Sequence, residues 1–488
     1  MRRVLWLAAL AALALTQTVP LFADSPGDVM STLESMKQQM TKMQETIDRQ
    51  NLRIQQLESH KVLETPQANT PVQPSQATMS DADFQKGIKD NIGEVIPWMK
   101  GTKFGGDFRL RMENFSFYDK NDDAGSTGTA NDRARNRTRI RLRWGFEKDY
   151  GDDWKVGFRL ATGSTTDQTG TNQTLGNSGY FNFKTFNIER AYAGYSPNGL
   201  KDRGVFKGVT IGGGKFENPF LRYSTPIVWD GDVTPEGIYE KATLQFVSTE
   251  DTKVNLYTTL GQFILNENAA VDTDAEMYGY QGALNVSTDS FGGGDMPVDI
   301  TGAISYYDYP GWYQTVVNNT ASTSYLRTNS LSADDFRVVD FYPEVQFYAK
   351  HTPVTLWVDY VQNVANVGTT DTAQSLGNDI HDKNEAWGIG LKIGKAKKKG
   401  DWETFYGYYV IGANAVVAAF NDSDFGGPGY AGYTNRIGHK FGLGYQLTDN
   451  ILFNWTGYLV RPLDPSSIVA SSTNEDVFRS QLDMGYKF

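Results

Sequence analysis

From about Thr102 to the C-terminus, amphipathic runs of roughly ten to fifteen residues recur, and the connections between them alternate in length. Tight turns read at Tyr150-Gly-Asp-Asp153, Thr249-Glu-Asp-Thr252, Lys350-His-Thr-Pro353, Lys397-Lys-Lys-Gly400 and Thr448-Asp-Asn450. Long polar loops read at 119–132, 164–180, 218–234, 310–332, 367–380, 414–432 and 464–473. Within the runs, apolar side chains occupy every second position. Val354, Leu356, Val358 and Tyr360 oppose Thr355 and Asp359, and Phe441, Leu443, Tyr445 and Leu447 oppose Lys440, Gly442, Gly444 and Gln446. Ile451, Phe453, Trp455 and Leu459 oppose Asn454, Thr456 and Tyr458 in the same way. A period of two places such residues on one face of a β-strand. About sixteen strands are expected, starting near residues 102, 133, 153, 181, 206, 235, 251, 275, 295, 333, 352, 381, 400, 433, 450 and 474.

A soluble sandwich has no reason to keep its turns short on one side only. A transmembrane antiparallel β-barrel does, with the short side in the periplasm. Past residue 23 no apolar run approaches the ~20 residues of a membrane-spanning helix. The mean hydropathy of -0.46 fits a barrel, which hides its apolar residues at alternate positions. The chain has no cysteine, and a barrel closed by its own ladder needs none. Its 49 glycines suit turns and strand interiors facing a pore, and its 26 tyrosines and 27 phenylalanines suit interfacial girdles. A net charge of -11 argues against nucleic acid as a partner.

The chain ends on Leu482-Asp-Met-Gly-Tyr-Lys-Phe488. Leu482, Met484, Tyr486 and Phe488 share one parity, while Asp483, Gly485 and Lys487 take the other. An edge strand of a soluble sandwich could show the same parity. A terminal amphipathic strand closing on Phe also resembles the insertion signal of bacterial outer-membrane barrels. That resemblance implies recognition by the barrel-assembly machinery.

The N-terminal part is different in texture. Residues 1–23 read as a secretory signal, with Arg2 and Arg3 ahead of a short apolar core. Residues 24–63 carry a heptad. Leu33, Met40, Ile47 and Ile54 fall at one seam position, and Met36, Met43, Gln50 and Leu57 at the other, which predicts a short coiled coil. Residues 64–80 form a Pro- and Gln-rich linker. Phe84, Ile88, Ile92 and Val95 predict a short amphipathic helix within 81–101, and the barrel then takes 102–488.

The sharpest constellation is Arg133-Ala-Arg135-Asn-Arg137-Thr-Arg139-Ile-Arg141-Leu-Arg143. Its six arginines share one face over ~34 Å. Facing lipid would cost roughly 2–4 kcal/mol each near the midplane, so they are expected to face water. Arg109 and Arg111, with Lys155 and Arg159, would thicken this basic wall, and Glu113, Glu147, Glu189 and Asp340 are candidate partners. Such a wall attracts anions, unless acids in the lumen cancel it.

A second constellation is the loop Glu217-Asn-Pro-Phe-Leu-Arg-Tyr-Ser-Thr-Pro-Ile-Val-Trp-Asp-Gly-Asp232, with Arg222, Trp229, Asp230 and Asp232 as constriction candidates. Folded inward, it would narrow the pore and set acids opposite the arginines. Folded outward, it would cap the barrel. The segment Asn414-Ala-Val-Val-Ala-Ala-Phe420 is apolar for a surface loop, and would either extend a strand or pack at a subunit contact.

Several of these motifs together resemble a family. Gly106-Asp-Phe-Arg-Leu-Arg-Met-Glu113, the arginine strand, Phe186-Asn-Ile-Glu-Arg-Ala-Tyr192, Gly214-Lys-Phe-Glu-Asn-Pro-Phe220, Val228-Trp-Asp-Gly-Asp232 and Asn421-Asp-Ser-Asp-Phe425 are similar to those of the bacterial outer-membrane "putative porin" family, over roughly residues 102–488. The resemblance implies a trimeric channel in outer-membrane lipid and brings no settled substrate. An even strand count leaves both ends of the barrel in the periplasm, so the N-terminal segment is expected there, and the coiled coil resembles periplasmic segments that some porins carry. Contact with the cell wall through it belongs to the tether alternative.

No enzyme is expected. The four histidines, His60, His351, His381 and His439, are scattered, and no Ser/His/Asp set stands out. Asp119-Lys-Asn-Asp-Asp123 starts like a calcium loop, but Gly125 is misplaced and Ala130 stands where the terminal Glu belongs. No cofactor or metal is expected. The sequence thus predicts an outer-membrane porin for passive diffusion of small hydrophilic solutes and ions, Arg-lined and anion-favouring. A substrate-selective anion channel and an envelope tether acting through the coiled coil are the alternatives.

Overall fold

The computed structural model describes residues 99–488, apart from 119–133, 152, 178, 222–224, 226, 268–273, 294–295, 313–328, 330–335, 366–382, 427–433 and 464–475. The signal sequence, the coiled coil with its seam, the linker and nearly all of the 81–101 helix lie outside the described residues. So do Arg133, Arg222 and the acidic stretch 119–123.

The strands are β1 (Thr102–Tyr118), β2 (Arg135–Asp149), β3 (Trp154–Thr162), β4 (Gln173–Thr174), β5 (Phe186–Tyr195), β6 (Phe206–Lys215), β7 (Glu236–Ser248), β8 (Thr252–Asn266) and β9 (Ala275–Thr288). They continue as β10 (Val298–Asp308), β11 (Arg337–Ala349), β12 (Thr352–Asn363), β13 (Glu385–Gly394), β14 (Trp402–Ile411), β15 (Arg436–Gln446), β16 (Ile451–Pro462) and β17 (Asp476–Lys487). Each strand pairs antiparallel with its neighbours, and β1 bonds both β2 and β17, so the sheet closes on itself. Sixteen strands make this ring, the number expected from the repeat. The two-residue β4 lies inside the connection from β3 to β5.

The period-two pattern decides which face meets what. Leu142, Ile188, Leu260, Ile304, Ile389, Leu443 and Leu482 are exposed on the outer face. At the short-turn end this belt ends in exposed aromatics, among them Phe104, Trp154, Tyr348, Trp402, Tyr445 and Tyr486. Such rings suit the boundary between hydrocarbon and headgroups. The C-terminal residue locks the closure. The Phe488 N–H donates to the Gly106 carbonyl at 3.2 Å, and the Gly106 N–H returns a bond of 3.0 Å to the Phe488 carbonyl. A Cβ at Gly106 would come within 2.8 Å of the Phe488 ring, so only glycine admits that ring.

β4 has a physical origin. β2 has 15 residues but β3 only nine, and their pairing runs only from Arg143 to Asp149. The upper half of β2 would therefore present unpaired backbone groups, which a closed barrel avoids. The β3–β5 loop folds back to cover that edge. Thr174 pairs with Arg139 and Gln173 with Ile140, the Leu175 N–H donates to the Thr138 carbonyl at 2.9 Å, and the Leu142 N–H donates to Thr162 Oγ1 at 3.0 Å.

Among the described residues, two loops pack apolar side chains into the lumen. In the β6–β7 loop, Phe216, Phe220, Ile227, Val228 and Val233 are buried. In the β14–β15 loop, Ala413, Ala415 to Ala419 and Phe425 are buried. This settles the apolar segment 414–420: it neither extends β14 nor stands outside, but packs within the barrel. Asn329 fastens it, donating to the carbonyls of Ala413 (2.7 Å) and Val416 (2.9 Å) and accepting the Ala418 N–H at 2.8 Å. Together these loops build an apolar core against β8–β14 and β16, in which Phe220, Phe263, Tyr307, Trp312, Phe336, Trp357 and Tyr409 are buried. Each fully buried side chain of this size contributes roughly 1.5–3 kcal/mol.

Candidate functional site

The opposite wall, made by β1, β2, β3 and β17, is polar. Register builds it. Arg137, Arg139, Arg141 and Arg143 of β2 stand opposite Glu113, Arg111, Arg109 and Asp107 of β1. Across the closing seam, Asp483 of β17 faces Arg111 and Gln481 faces Glu113. Two of these pairs set arginine against arginine, which costs energy unless carboxylates intervene.

The carboxylates divide the wall into two groups. Nearer the short-turn end, Arg141 and Arg143 both hold Asp107, at 2.7 and 2.6 Å, and both reach Asp232 of the β6–β7 loop, at 3.8 and 3.7 Å. Arg143 also approaches Glu189 at 3.9 Å, and Arg159 grips Glu189 with Nη2 at 2.8 Å. Glu189 reaches the lumen because β5 bulges there: Arg159 pairs with Arg190 and Leu160 with Ile188, leaving Glu189 as the extra residue. This group sets three arginines against three carboxylates.

In the other group, Arg111 binds Asp483 with two bonds of 2.7 and 2.8 Å and Asp424 of the β14–β15 loop with one of 3.0 Å. Arg479 donates to Glu113 at 2.9 Å and also pairs with Asp424. Arg137 pairs with Glu113, whose side chain is fully buried. Arg109 and Arg139 complete the group, each with its nearest carboxylate among the described residues at 3.9 Å. Here five arginines share three carboxylates. Phe115 lies under Arg137 and Arg479, 5.0 and 4.9 Å from ring centroid to guanidinium carbon.

The loop acids answer to this wall. Asp424 is half-buried, which pushes its carboxyl up, yet Arg479 and Arg111 hold it well below the ordinary range. Asp232 is half-buried too, and Arg141, Arg109 and Arg143 lower it against that desolvation. Asp230 goes the other way. Burial and the neighbouring Asp422 and Asp232 push it well up, against the pull of the Ser423 and Asp232 amides. Asp230 works as a clasp between two loops, accepting Ser423 N–H and Oγ–H at 2.8 and 2.9 Å, while its own N–H donates to the Phe420 carbonyl at 2.6 Å.

The remaining expected residues fall in different places. Lys155 pairs with Glu147 at 2.7 Å in an exposed position at the short-turn mouth. Arg135 is exposed at the far end of β2. Trp229 sits in the aromatic core, stacked on Phe420 at 5.8 Å. Asp340 is on the other wall, where Ser305 donates to it at 3.4 Å. His351 lies on an exposed turn, and His439 bonds Tyr406 at 2.8 Å. His60 and His381 lie outside the described residues. Asp107, Arg479 and Asp483 were missed as site residues, although strand parity alone puts them with Arg109 and Arg111. Asp424 and Asn172 sit on loops, where no periodicity marks them.

Two cavities meet at this layer. One of about 990 Å³ opens toward the short-turn end and is lined by Arg109, Arg141, Arg143, Arg159 and Arg190 among others. The other, of about 530 Å³, opens toward the long loops and is lined by Glu189, Lys215, Trp229, Asp232 and Glu236 among others. Arg143, Arg159, Glu189 and Asp232 form the boundary between them.

The family profile described as "Putative porin" matches residues 89–330 and 313–488. The chain belongs to this porin family. The porin's solved structural neighbours include OprB of Pseudomonas putida in a high-pH structure, at 11% identity over 83% of this chain and 97% of that one, with a TM-score of 0.45. OmpF of Salmonella typhi in complex with daunomycin shares 10% identity over 80% and 98%, with a TM-score of 0.42. The outer-membrane channel DcaP of Acinetobacter baumannii shares 14% over 79% and 97%, with a TM-score of 0.38. No curated protein matches the chain. The porin's family and closed barrel make it an outer-membrane channel, with its lumen divided between an apolar and an arginine-rich wall.

Proposed function

We propose that this channel is a general diffusion pore for small hydrophilic solutes and ions, and that it favours anions. The observation that carries this reading is the charge imbalance on the wall: among the described residues five arginines share three carboxylates, and Arg109 of that group lines the larger cavity. Guanidinium stays charged at every relevant pH, and a low-dielectric lumen strengthens its field. The acidic rim of the smaller cavity works against anion entry, so the preference should be moderate. The apolar filling of the β8–β14 side confines the water path to the charged side.

The family supports a homotrimer, inserted by the barrel-assembly machinery through Leu482, Met484, Tyr486 and Phe488. β1 begins and β17 ends on the short-turn side, which supports a periplasmic N-terminal segment, with residues 24–63 available for contact with the cell wall. The test is single-channel recording in a lipid bilayer. Discrete conductance steps from the purified mature protein are expected. Folded protein that inserts and stays silent would overturn the pore reading.

A further inference from the structure

We infer that Arg109, Arg139 and Asn172 form a binding subsite for a small oxyanion, a carboxylate or a phosphate group. The inference rests on the channel reading above and narrows it to a place. Every other arginine of its group has a carboxylate within hydrogen-bond reach. Arg109 and Arg139 do not. The carboxylate nearest Arg109 is Asp483 at 3.9 Å, already held by two bonds from Arg111. The one nearest Arg139 is Glu113 at 3.9 Å, already engaged by Arg137, Arg479 and Gln481. The surplus of two positive charges is therefore localised on these two side chains. Their Nε atoms are buried and make no hydrogen bond among the described residues.

Asn172 bridges the two. It accepts from Arg109 through Oδ1 at 2.6 Å and from Arg139 through its carbonyl at 3.5 Å. It is there because β4 follows it directly and pairs with Arg139 and Ile140. The covering of an unpaired strand edge thus delivers a polar residue between two cations. Asn172 brings no charge, so it orients the guanidiniums without neutralising them. The site is reachable: Arg109 lines the 990 Å³ cavity, and the two side chains keep 15% and 14% of their surface exposed. A planar guanidinium matches a carboxylate or phosphate edge with paired N–H groups. A cation would be repelled here, and a neutral sugar would leave the charge unbalanced.

The experiment is isothermal titration of the detergent-solubilised full chain with potassium phosphate and, separately, potassium acetate at low ionic strength, where screening is weak. Chloride conductance is recorded in parallel with each anion added. Saturable binding of either anion, with matching block of the chloride current, is expected. Phosphate alone or acetate alone would assign the class, and both together would make it a general oxyanion site. Arg109→Gln/Arg139→Gln should weaken binding by about tenfold or more. Asn172→Ala leaves the barrel wall untouched and should weaken it a few-fold, so a folding failure of the double variant does not remove the test. Normal chloride conductance with neither binding nor block would overturn the subsite, as would binding that both variants leave unchanged. Absent conductance with binding intact would instead break the channel reading and leave the subsite standing.

Discussion

The two sides of this lumen solve the same problem in opposite ways. A closed barrel of sixteen strands leaves an interior too wide for its own side chains to fill. The β8–β14 side fills it with two loops and a packed aromatic core, where Phe220 meets Tyr307 at 5.2 Å and Trp229 meets Phe420 at 5.8 Å. The β1–β3 and β17 side fills it with guanidinium and carboxylate groups joined across strands. Apolar packing is non-directional and excludes water, so that side is a plug. An ion-pair network is open to water and keeps a charge surplus, so that side can be a path. The comparison assigns stability mainly to the first and selectivity to the second, with one exception that supplies the largest predicted effect.

That exception is Glu113. Its fully buried carboxylate is shared by Arg137, Arg479 and Gln481. Glu113→Ala leaves two paired guanidiniums without their shared partner and should destabilise the barrel by about 3–5 kcal/mol. Heat-modifiability on gels or thermal unfolding in detergent reads this, and an unchanged midpoint would mean that the polar side carries no structural load. Next comes the plug. The Phe220 ring lies over β9 where a Cβ at Gly279 would approach within 2.2 Å. Gly279→Val should dislodge the β6–β7 loop, and Phe220→Ala should loosen it at a cost of about 3 kcal/mol. Both should raise single-channel conductance and its noise. Wild-type conductance in both would show that the plug does not confine the path.

A smaller effect separates the two sides by pH. Asp424 is held well below the ordinary carboxylate range by Arg479 and Arg111, against the desolvation of its half-buried carboxyl. A lowered folded value means that its contribution is present above the unfolded value and is lost only as pH falls through the folded one. The difference in reversal potential between wild type and Asp424→Asn should therefore persist from pH 7 down to about 3.5, where an ordinary Asp is mostly neutral. A difference that fades near pH 4 would show that the β14–β15 loop is not docked on the arginines. Smallest of all, Lys155→Gln should change stability by less than about 0.5 kcal/mol, because its pair with Glu147 is half exposed.

The barrel was legible because its pattern is local. Alternation over Val354–Tyr360 or Phe441–Leu447 needs no knowledge of distant partners, and the tight turns mark where each strand ends. Strand β5 shows the limit: it was expected from about residue 181 and starts at Phe186, because the preceding residues belong to the loop that covers β2. On the arginine strand, the parity that excludes lipid is the one on which Arg137, Arg139, Arg141 and Arg143 meet carboxylates across the lumen wall. Its partners on loops were not legible. Asp424 and Asp232 reach the wall from loops, and pairing between residues 313 positions apart, as for Arg111 and Asp424, leaves no periodic trace. The apolar stretch 414–420 looked anomalous only because a loop was expected outside, and burial in the lumen explains its composition. Asn421–Phe425, noted only for its family likeness, converges with the constriction candidates Trp229, Asp230 and Asp232 on one layer of the lumen, where Asp230 clasps Ser423.

The most direct test of the account is the reversal potential in a bilayer under a KCl gradient, for wild type and for Arg137→Gln/Arg139→Gln/Arg141→Gln. The account predicts an anion-selective current whose preference falls in the variant. A cation-selective wild type would contradict it, because the loop carboxylates would then outweigh the arginine surplus on the wall.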